Sequence, residues 1–433
     1  MAKYFHSIRL EESKCRGCTN CIKKCPTEAI RVRDGKAYII SDRCIDCGEC
    51  VRACPYQAKR AKTDKFEHFD EFKYRIALPA PSLYAQFSKK YTRRQILAAL
   101  QQLGFDYVYE VARAAEIVSE ETKRYLMEKD VTRPVISSAC PVIVRFIMLK
   151  YPNLIPHISH VESPMQVAGE IARNEFAMKH KVNPDDIGVF FISPCAAKRT
   201  AVKAPIGKKK SSVDYVISIK SVYFKLRKIL EDIKEVEMDV PASKFGVRWA
   251  NTGGESLALK MDNFIAVDGI HNVAEIFEAI EDEAIEDIDF VEALACTGGC
   301  LGGPLCIENV YTARAVFKKI LEKDISQIPF PCTTEKYNPF LDKEIIYNDV
   351  YSFGKDMNSA MAKVMELGKL IDDLPGLDCG ACGAPSCRAL AEDIVRGYST
   401  EDACIVRMKE NYRELLEEGR ISPRIDKNNN EET

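Results

Sequence analysis

Cysteine is the residue type that can do chemistry here: the 433-residue chain holds 18 of them, unevenly placed. Residues 15–26 read CRGCTNCIKKCP and residues 44–55 read CIDCGECVRACP, both C-x2-C-x2-C-x3-C-P. Thiolates bind the soft iron of a cubane, and three cysteines spaced by two residues wrap one cluster on a tight loop. The fourth cysteine of each run ligates the other cluster. One cluster then takes Cys15, Cys18, Cys21 and Cys54, and its companion takes Cys44, Cys47, Cys50 and Cys25. Pro26 and Pro55 fix φ just after the last ligand and turn the chain away. Zinc and disulfides are the competing uses of such thiols, but a zinc module would not need the x3-C-P ending twice. An internal repeat of this kind implies a pseudo-twofold unit for electron transfer.

A second four-thiolate set lies near the carboxyl end, spaced Cys379-x2-Cys382-x4-Cys387-x16-Cys404. Gly380 and Gly383 loosen its loop, and Pro385-Ser386 can open a helix. Cys387, Leu390, Ala391, Ile394 and Val395 line one face of that helix; Cys404 begins another, with Ile405, Met408, Tyr412 and Leu415 on its packing side. All-thiolate zinc sites use similar ligand sets, so zinc is the competing reading for this module.

The elements that must position the remaining thiols form an α/β pattern from about Tyr74 to Gln327. Strands are expected at Arg75–Leu78, Pro134–Ser137, Gly188–Ile192, Tyr215–Ile219, Phe264–Val267 and Val291–Leu294. Helical spacing covers Lys225–Val236 and Val273–Ile285. Four strands run into Pro- or Cys-bearing turns: LPAP (78–81), SSACP (137–141), ISPCAAK (192–198) and LACTGGC (294–300). Ligands of α/β folds sit beyond the carboxyl ends of strands, so these turns can converge and offer Cys140, Cys195, Cys296 and Cys300 to one metal group. Glycines 298, 299, 302 and 303 let backbone approach a bulky group beside Cys300, and Lys198 can place an ammonium there. Cys306 and Cys332 read as buried free thiols.

Composition narrows the class. With 62 Lys+Arg against 64 Asp+Glu, the net charge of −2 lacks the basic excess of a nucleic-acid binder. An apolar share of 46% excludes wholesale disorder. The most apolar segment, Val142–Leu149, is broken by Arg145 and falls far short of the ~18 residues of a membrane span. Met1–Leu10 lacks the apolar core of a signal peptide, so a cytoplasmic chain is expected. There is no GxGxxG after a strand, no Walker loop and no HExxH. Lys208–Lys210 and the acidic stretch Glu278–Asp287 read as solvated faces.

Three resemblances follow from these motifs. Residues 8–62 resemble the bacterial two-cluster ferredoxins. Residues 379–404 resemble a small four-cysteine cubane domain found in several anaerobic redox proteins. The span from residue 74 to about 325 resembles the catalytic domain of the [FeFe]-hydrogenases, whose members carry T-S-C-C-P, P-C-x-x-K and A-C-x-G-G-C-x-x-G-G turns. This chain has Ser137-Ser138-Ala139-Cys140-Pro141, Pro194-Cys195-Ala196-Ala197-Lys198 and Ala295-Cys296-Thr297-Gly298-Gly299-Cys300-Leu301-Gly302-Gly303. Pro79-Ala80, Ser163-Pro164, Thr252-Gly253-Gly254 and Ala266-Val267-Asp268-Gly269 match as well.

The resemblance implies that the four cysteines hold a cubane, with Cys300 bridging to a two-iron unit carrying CO, cyanide and a dithiolate amine: together, the H-cluster. Lys198 would donate to one cyanide and the Pro79-Ala80 backbone would line the other. Lys198 and Cys300 are thus the implied catalytic pair. Ala139, Ser193 and Leu294 occupy further cofactor positions where members carry a proton-relay cysteine and two methionines. A glutamate usual in members is replaced by Ala201, and the third turn continues as Pro304-Leu305-Cys306. Without the relay cysteine, protons must travel by water or another side chain, or slowly.

The expected organisation is a small α+β ferredoxin-like domain (1–68) and an α/β catalytic domain of two lobes, sheets flanked by helices with the cofactor between them (69–354). A helical linker with the carboxyl-terminal 4Fe-4S domain (355–421) and a disordered tail (422–433) follow. The implied function is reversible H2 oxidation and proton reduction. The implied cofactors are two amino-terminal 4Fe-4S clusters, the H-cluster and one carboxyl-terminal 4Fe-4S cluster. Partners would be H2 and protons, ferredoxin or another redox carrier, and hydrogenase maturation proteins. Two alternatives share the scaffold: a low-turnover H2 or redox sensor, and an iron–sulfur scaffold or electron carrier without the two-iron unit.

Overall fold

Strands covered by helices on both faces read as unbroken apolar runs, and the central strands of this chain do so. The computed structural model describes residues 5–87, 90–233, 242–323, 337–354 and 356–421. The described chain forms two compact units. The larger comprises residues 1–9, 41–52 and 59–348, and the smaller residues 10–40, 53–58 and 349–433. The partition therefore cuts through the cysteine-rich repeat. Residues 422–433, expected as a disordered tail, lie outside the described residues, as does Cys332.

Seven strands carry the catalytic region among the described residues: β1 (Tyr74–Pro79), β2 (Tyr107–Val108), β3 (Val135–Ile136), β4 (Ile187–Ser193), β5 (Tyr215–Ser218), β6 (Phe264–Asp268) and β7 (Phe290–Leu294). They form two parallel sheets, ordered β2-β1-β4-β5 and β6-β7-β3. Side chains alternate across the larger sheet. Ile76, Leu78, Val189, Phe191 and Val216 enter one core, while Ala77, Phe190, Ile192 and Ile217 enter the other. The first core is roofed by helices Val111–Leu126 and Pro164–His180, the second by Arg93–Gln102 and Ile219–Asp232. Each large side chain so buried contributes roughly 1.5–3 kcal/mol.

Register then aims the strand ends. Leu78 pairs with Phe191 and Pro79 with Ile192, which sets Ala80 beside the Ser193–Cys195 turn. In the smaller sheet Val291 pairs with Ile136 and Asp268 with Leu294. Three residues on from the first pair, the chain stands at Leu294 on one strand and Ala139 on the other. Cys140 and Cys195 are the N-cap residues of helices Pro141–Lys150 and Ala196–Lys203, whose unpaired N–H groups favour negative charge on a nearby sulfur.

Some boundaries differ from expectation. The Pro134–Ser137 strand shrinks to Val135–Ile136, since Pro134 has no N–H to give a ladder. The helix expected from Lys225 begins at Ile219, because Ser218 Oγ accepts from Ser221 N at 3.0 Å and caps it. It ends at Asp232, and residues 234–236 lie outside the described residues. The Val273–Ile285 helix runs from Ile270 to Glu281 and stops before Glu283, whose φ of 53° breaks the helix. The strand Tyr107–Val108 was too short to be expected.

In the smaller unit, Ile30–Arg33 and Lys36–Ile39 form an antiparallel hairpin turned by Asp34 (φ 50°) and Gly35 (φ 70°), the Asp-Gly pairing that suits such turns. The carboxyl-terminal segment is fastened to it. Val32 N donates to Gly383 O at 2.8 Å, and a Cβ on Gly383 would stand 1.9 Å from Val32 O. Arg33 Nη1 donates to Cys382 O at 2.7 Å, and Lys23 Nζ to Asp378 O. Ser386 caps helix Cys387–Val395 through Ala389 N at 3.0 Å, as the sequence suggested. Helix Ile405–Glu417 does not pack as expected: Ile405, Met408 and Tyr412 are exposed, because the described residues of this unit bring no apolar partner to that face.

The strongest tie is a buried fork. Arg31, with no exposed surface, donates through Nε to Asp393 Oδ2 at 2.7 Å and through Nη2 to Oδ1 at 3.0 Å, and Arg33 Nη2 adds a bond at 2.9 Å. Asp393→Ala strands a buried guanidinium, and removing one partner of a buried pair costs about 3–5 kcal/mol. We expect early tryptic release of a fragment spanning the last helices, with loss of one cluster's iron. Wild-type resistance in the variant would contradict the bond's structural weight.

Candidate metal centre

The four dispersed cysteines do meet. Cys140, Cys195, Cys296 and Cys300 all line one cavity with an empty volume of about 940 Å³, part of it open to solvent. The sulfurs lie close enough to act on one another. Burial pushes the Cys195 thiol well up, and its neighbours Cys296, Cys140 and Cys300 push it further. Burial, followed by Cys140 and Cys296, raises Cys300 to about 12. Neutral thiols are what such a site holds without metal; bound iron displaces the protons.

The turn architecture explains the glycines differently from the sequence reading. A Cβ on Gly302 would lie 2.0 Å from Thr297 O, one on Gly303 2.4 Å from Pro194 O, and one on Gly299 3.0 Å from Ala250 O. The bulky group approached closely is neighbouring backbone. These contacts lock the Cys300 turn against the Cys195 turn, which is how two distant thiols keep one spacing.

The cavity wall places the other expected residues. Ala139, Leu294, Ala80 and Lys198 line it. Lys198 Nζ donates to Ala139 O at 2.8 Å, leaving further N–H groups on the ammonium. Pro79 and Ser193 are buried but outside the wall. Ser193 Oγ instead accepts from Cys195 N at 3.0 Å and donates to Cys195 O at 2.9 Å, bracing that turn. Ala80 N donates to Ile192 O at 3.1 Å. Cys306 is half-buried rather than buried, and its thiol donates to Cys300 O at 3.6 Å.

Three wall residues escaped sequence reasoning. Ser82 is wholly buried, and its Oγ has no hydrogen-bond partner among the described residues. A buried hydroxyl without a partner in the cavity wall calls for a polar group in the cavity. Glu255 and Glu292 are the others. Ser137 Oγ donates to Glu255 Oε2 at 2.7 Å, while Glu292 accepts from Gly253 N, Ser256 N and Ser256 Oγ, each at 2.9 Å. Burial raises both carboxyls, and the charge on Glu292 raises Glu255 further. No local spacing signals this pair, because its members lie 37 residues apart on different elements. Four thiols, an orphaned hydroxyl and an ammonium around an apolar cavity fit an iron–sulfur group extended by small polar ligands.

Ala139 and Ala201, where the relay groups would stand, both line a second cavity with an empty volume of about 500 Å³, shared with Ser138, Glu162 and Lys198. Glu162 Oε2 has no hydrogen-bond partner among the described residues; Lys208 Nζ lies 4.0 Å away.

The repeat cysteines keep their symmetry. Cys21 and Cys50 sit in matching one-turn helices, Asn20–Lys23 and Glu49–Arg52. Ala29 N donates to Cys25 Sγ and Ala58 N to Cys54 Sγ, both at 3.2 Å. Cys15, Cys18, Cys21, Cys25 and Cys54 belong to the smaller unit, and Cys44, Cys47 and Cys50 to the larger. Asp46 is a further missed residue: it accepts from Ser7 N at 2.8 Å and Ile8 N at 2.9 Å, and Thr200 Oγ1 donates to it. His6, Cys44 and Asp46 place ligand atoms within 4.8 Å of one another. In the smaller unit Cys382 feels the charges of Cys379 and Cys404, and Cys387 packs in the same cluster.

A family model described as the iron-only hydrogenase large subunit, C-terminal domain, matches residues 73–261 and 255–304, more than half of the chain. A 4Fe-4S dicluster domain matches residues 7–55, and an Fe-S cluster family matches residues 374–406. The periplasmic [Fe] hydrogenase large subunit of Nitratidesulfovibrio vulgaris is 29% identical over 364 residues, covering 69% of this chain and 86% of that protein. A cytosolic Fe-S cluster assembly factor of Yarrowia lipolytica is 29% identical over 131 residues, covering 28% of this chain and 26% of that protein. A solved [FeFe]-hydrogenase from Chlamydomonas reinhardtii covers 57% of this chain and 84% of its own at 17% identity, with a TM-score of 0.47. No helix among the described residues is long and apolar enough to cross a membrane.

Glu162 makes a stability prediction. Burial, offset partly by Lys208 and Lys198, raises its carboxyl to about 7 from the ordinary 4.5. The fold favours the protonated form, so stability is full below the unfolded pKa and falls as pH rises through 4.5 to 7. Glu162→Gln removes that loss, and its urea midpoint should exceed wild type above pH 7 by an equivalent of about 1–3 kcal/mol. Parallel pH profiles for the two proteins would refute the assignment.

Proposed function

The chain belongs to the iron-only hydrogenase large-subunit family, and from that premise we propose that it is an enzyme interconverting two protons and two electrons with dihydrogen. The observation that carries this reading is the single cavity lined by Cys140, Cys195, Cys296, Cys300, Lys198 and the orphaned Ser82 hydroxyl. The four thiolates would hold a cubane, with Cys300 bridging to a two-iron unit. That unit, when bound, supplies the open metal position at which H2 is formed or split.

The protein's own groups set the conditions. Lys198 and Ser82 present donors to small anionic or polar ligands, orienting the group and holding it against loss. Ala80, Pro81, Val111, Ala115, Phe191 and Leu294 keep the surroundings apolar, which strengthens those hydrogen bonds. Glu255 stands at the wall, bonded to Ser137, whose hydroxyl also accepts from Ala139 N at 3.2 Å. A buried carboxyl with a raised pKa beside a second carboxyl is suited to giving and retaking protons. It occupies the role that Ala139 cannot fill. Electrons would arrive through the cysteine-rich repeat and the carboxyl-terminal cluster, whose exposed Cys379 suits exchange with a ferredoxin or another carrier.

A second reading, an iron–sulfur scaffold without the two-iron unit, is favoured by the match to the cytosolic assembly factor. Infrared spectra of protein matured with the hydrogenase maturation proteins decide between them. CO and CN stretches are expected, and their absence after competent maturation would leave the scaffold. Given the bands, Glu255→Gln should keep them unchanged while lowering H2 turnover about 10²-fold, the scale of a lost proton-transfer group. Unaltered turnover would place the proton route elsewhere in the wall.

A further inference from the structure

Arg52 has no part in the chemistry above, yet it joins the thiolate loop of the repeat to the cavity's own cysteines. It closes the one-turn helix Glu49–Arg52, two residues after Cys50. Its Nη1 donates to Glu49 Oε1 at 2.6 Å and its Nη2 to Gly302 O at 2.7 Å, inside the turn that holds Cys300. The guanidinium also stands close enough to Cys296 and Cys47 for their charges to act on it, Cys296 more strongly. One fixed cation therefore stands between a thiolate of the repeat and a thiolate of the cavity. The loop around it is docked by two further contacts. A Cβ on Gly48 would lie 2.8 Å from the Pro304 side chain, and Thr200 Oγ1 bonds Asp46 from the helix that carries Lys198.

We propose that Arg52 is a positioning residue that sets the direction of electron flow, by raising the reduction potential of the cubane at Cys140, Cys195, Cys296 and Cys300 relative to the cluster served by Cys44, Cys47 and Cys50. The proposal rests on the reading that the four cavity thiolates hold a cubane. Reduction adds one negative charge to a cluster. A hydrogen bond to a ligating sulfur and a nearby positive charge both stabilise that reduced form, two of the levers by which proteins tune cluster potentials. Arg52 is anchored on the Cys300 turn through Gly302 O and interacts more strongly with Cys296 than with Cys47, so the larger stabilisation falls on the cavity cubane. In the step that follows, one electron leaves the reduced repeat cluster and enters the oxidised cubane; no bond forms or breaks and no proton moves. Arginine suits the place because it stays charged at any working pH and its planar fork serves several acceptors at once.

The test uses the full chain carrying its 4Fe-4S clusters but not taken through two-iron maturation, so the hydrogen reading does not enter. Electron paramagnetic resonance follows a redox titration, with Cys140→Ala identifying the cavity cubane's signal. In Arg52→Gln, the reduced-to-oxidised ratio of that cubane at a fixed potential should fall at least tenfold, about 59 mV for one electron. The clusters of Cys15, Cys18, Cys21 and Cys54 and of the carboxyl-terminal module should not move. Arg52→Lys, which keeps the charge and loses the fork, should shift the same way by less, and it carries the test if Arg52→Gln loses iron. An unchanged cubane titration in the iron-replete variants, or an equal shift in every cluster, overturns the proposal. Missing CO and CN bands would sink the hydrogen reading and leave this measurement intact.

Discussion

Four sulfurs held at the ends of strands and turns far apart in sequence set the terms for the larger unit. Cys140 and Cys296 follow strands of one sheet, and Cys195 follows a strand of the other. Their spacing exists only once both sheets have formed in register, so the site and the fold are one event. Burial raises the thiols of Cys195, Cys296 and Cys300, whereas iron converts each sulfur it binds into a thiolate. Binding free energy of that kind is folding free energy. The tight turn contacts of Gly299, Gly302 and Gly303 and the bracing of Cys195 by Ser193 hold the sulfurs to one geometry.

What could be read from sequence was what local spacing encodes. The cysteine runs declared their chemistry because one loop must wrap one cluster. The apolar runs before Cys195 and Cys296 declared strand ends because parallel strands are buried on both faces. Contacts made across the fold left no such mark. The Glu255–Glu292 pair, Asp46 with Thr200 and the fork of Arg31 on Asp393 join residues tens to hundreds of positions apart. Ser82 is invisible for another reason: a serine gains meaning here only from having no partner. The glycines around Cys300 were noticed, but their use depends on backbone that only the fold brings near. Helix starts moved where a side-chain cap, such as Ser218, outweighed apolar periodicity.

The repeat shows how one backbone can serve two purposes. Matching left-handed residues recur 29 positions apart, at Gly17 and Asp46, Thr19 and Gly48, and Glu28 and Gln57. Conformation is conserved between the halves while side chains diverge. Gly17 stands against Gly35 O, where a Cβ would come within 2.7 Å, while its counterpart Asp46 spends its carboxylate on Ser7, Ile8 and Thr200. Gly48 makes room for Pro304, and its counterpart Thr19 accepts the strained φ of 60° with no such neighbour required. The first half is built into the smaller unit with the carboxyl-terminal cysteines, while residues 44–52 of the second belong to the larger. A symmetric pair of cluster loops thereby becomes asymmetric, which an electron path with two distinct ends needs.

The two alanines at positions 139 and 201 complete the logic. A methyl group neither donates nor ionises, and both alanines line the second cavity. Acid–base capacity lies instead on side chains of other elements: Glu255 and Glu292 on the wall of the first cavity, and Glu162 on the wall of the second. Each of these carboxyls is desolvated, and desolvation costs stability whenever the group ionises. On the walls of two cavities the fold therefore favours the protonated form of carboxyls that solvent would leave ionised.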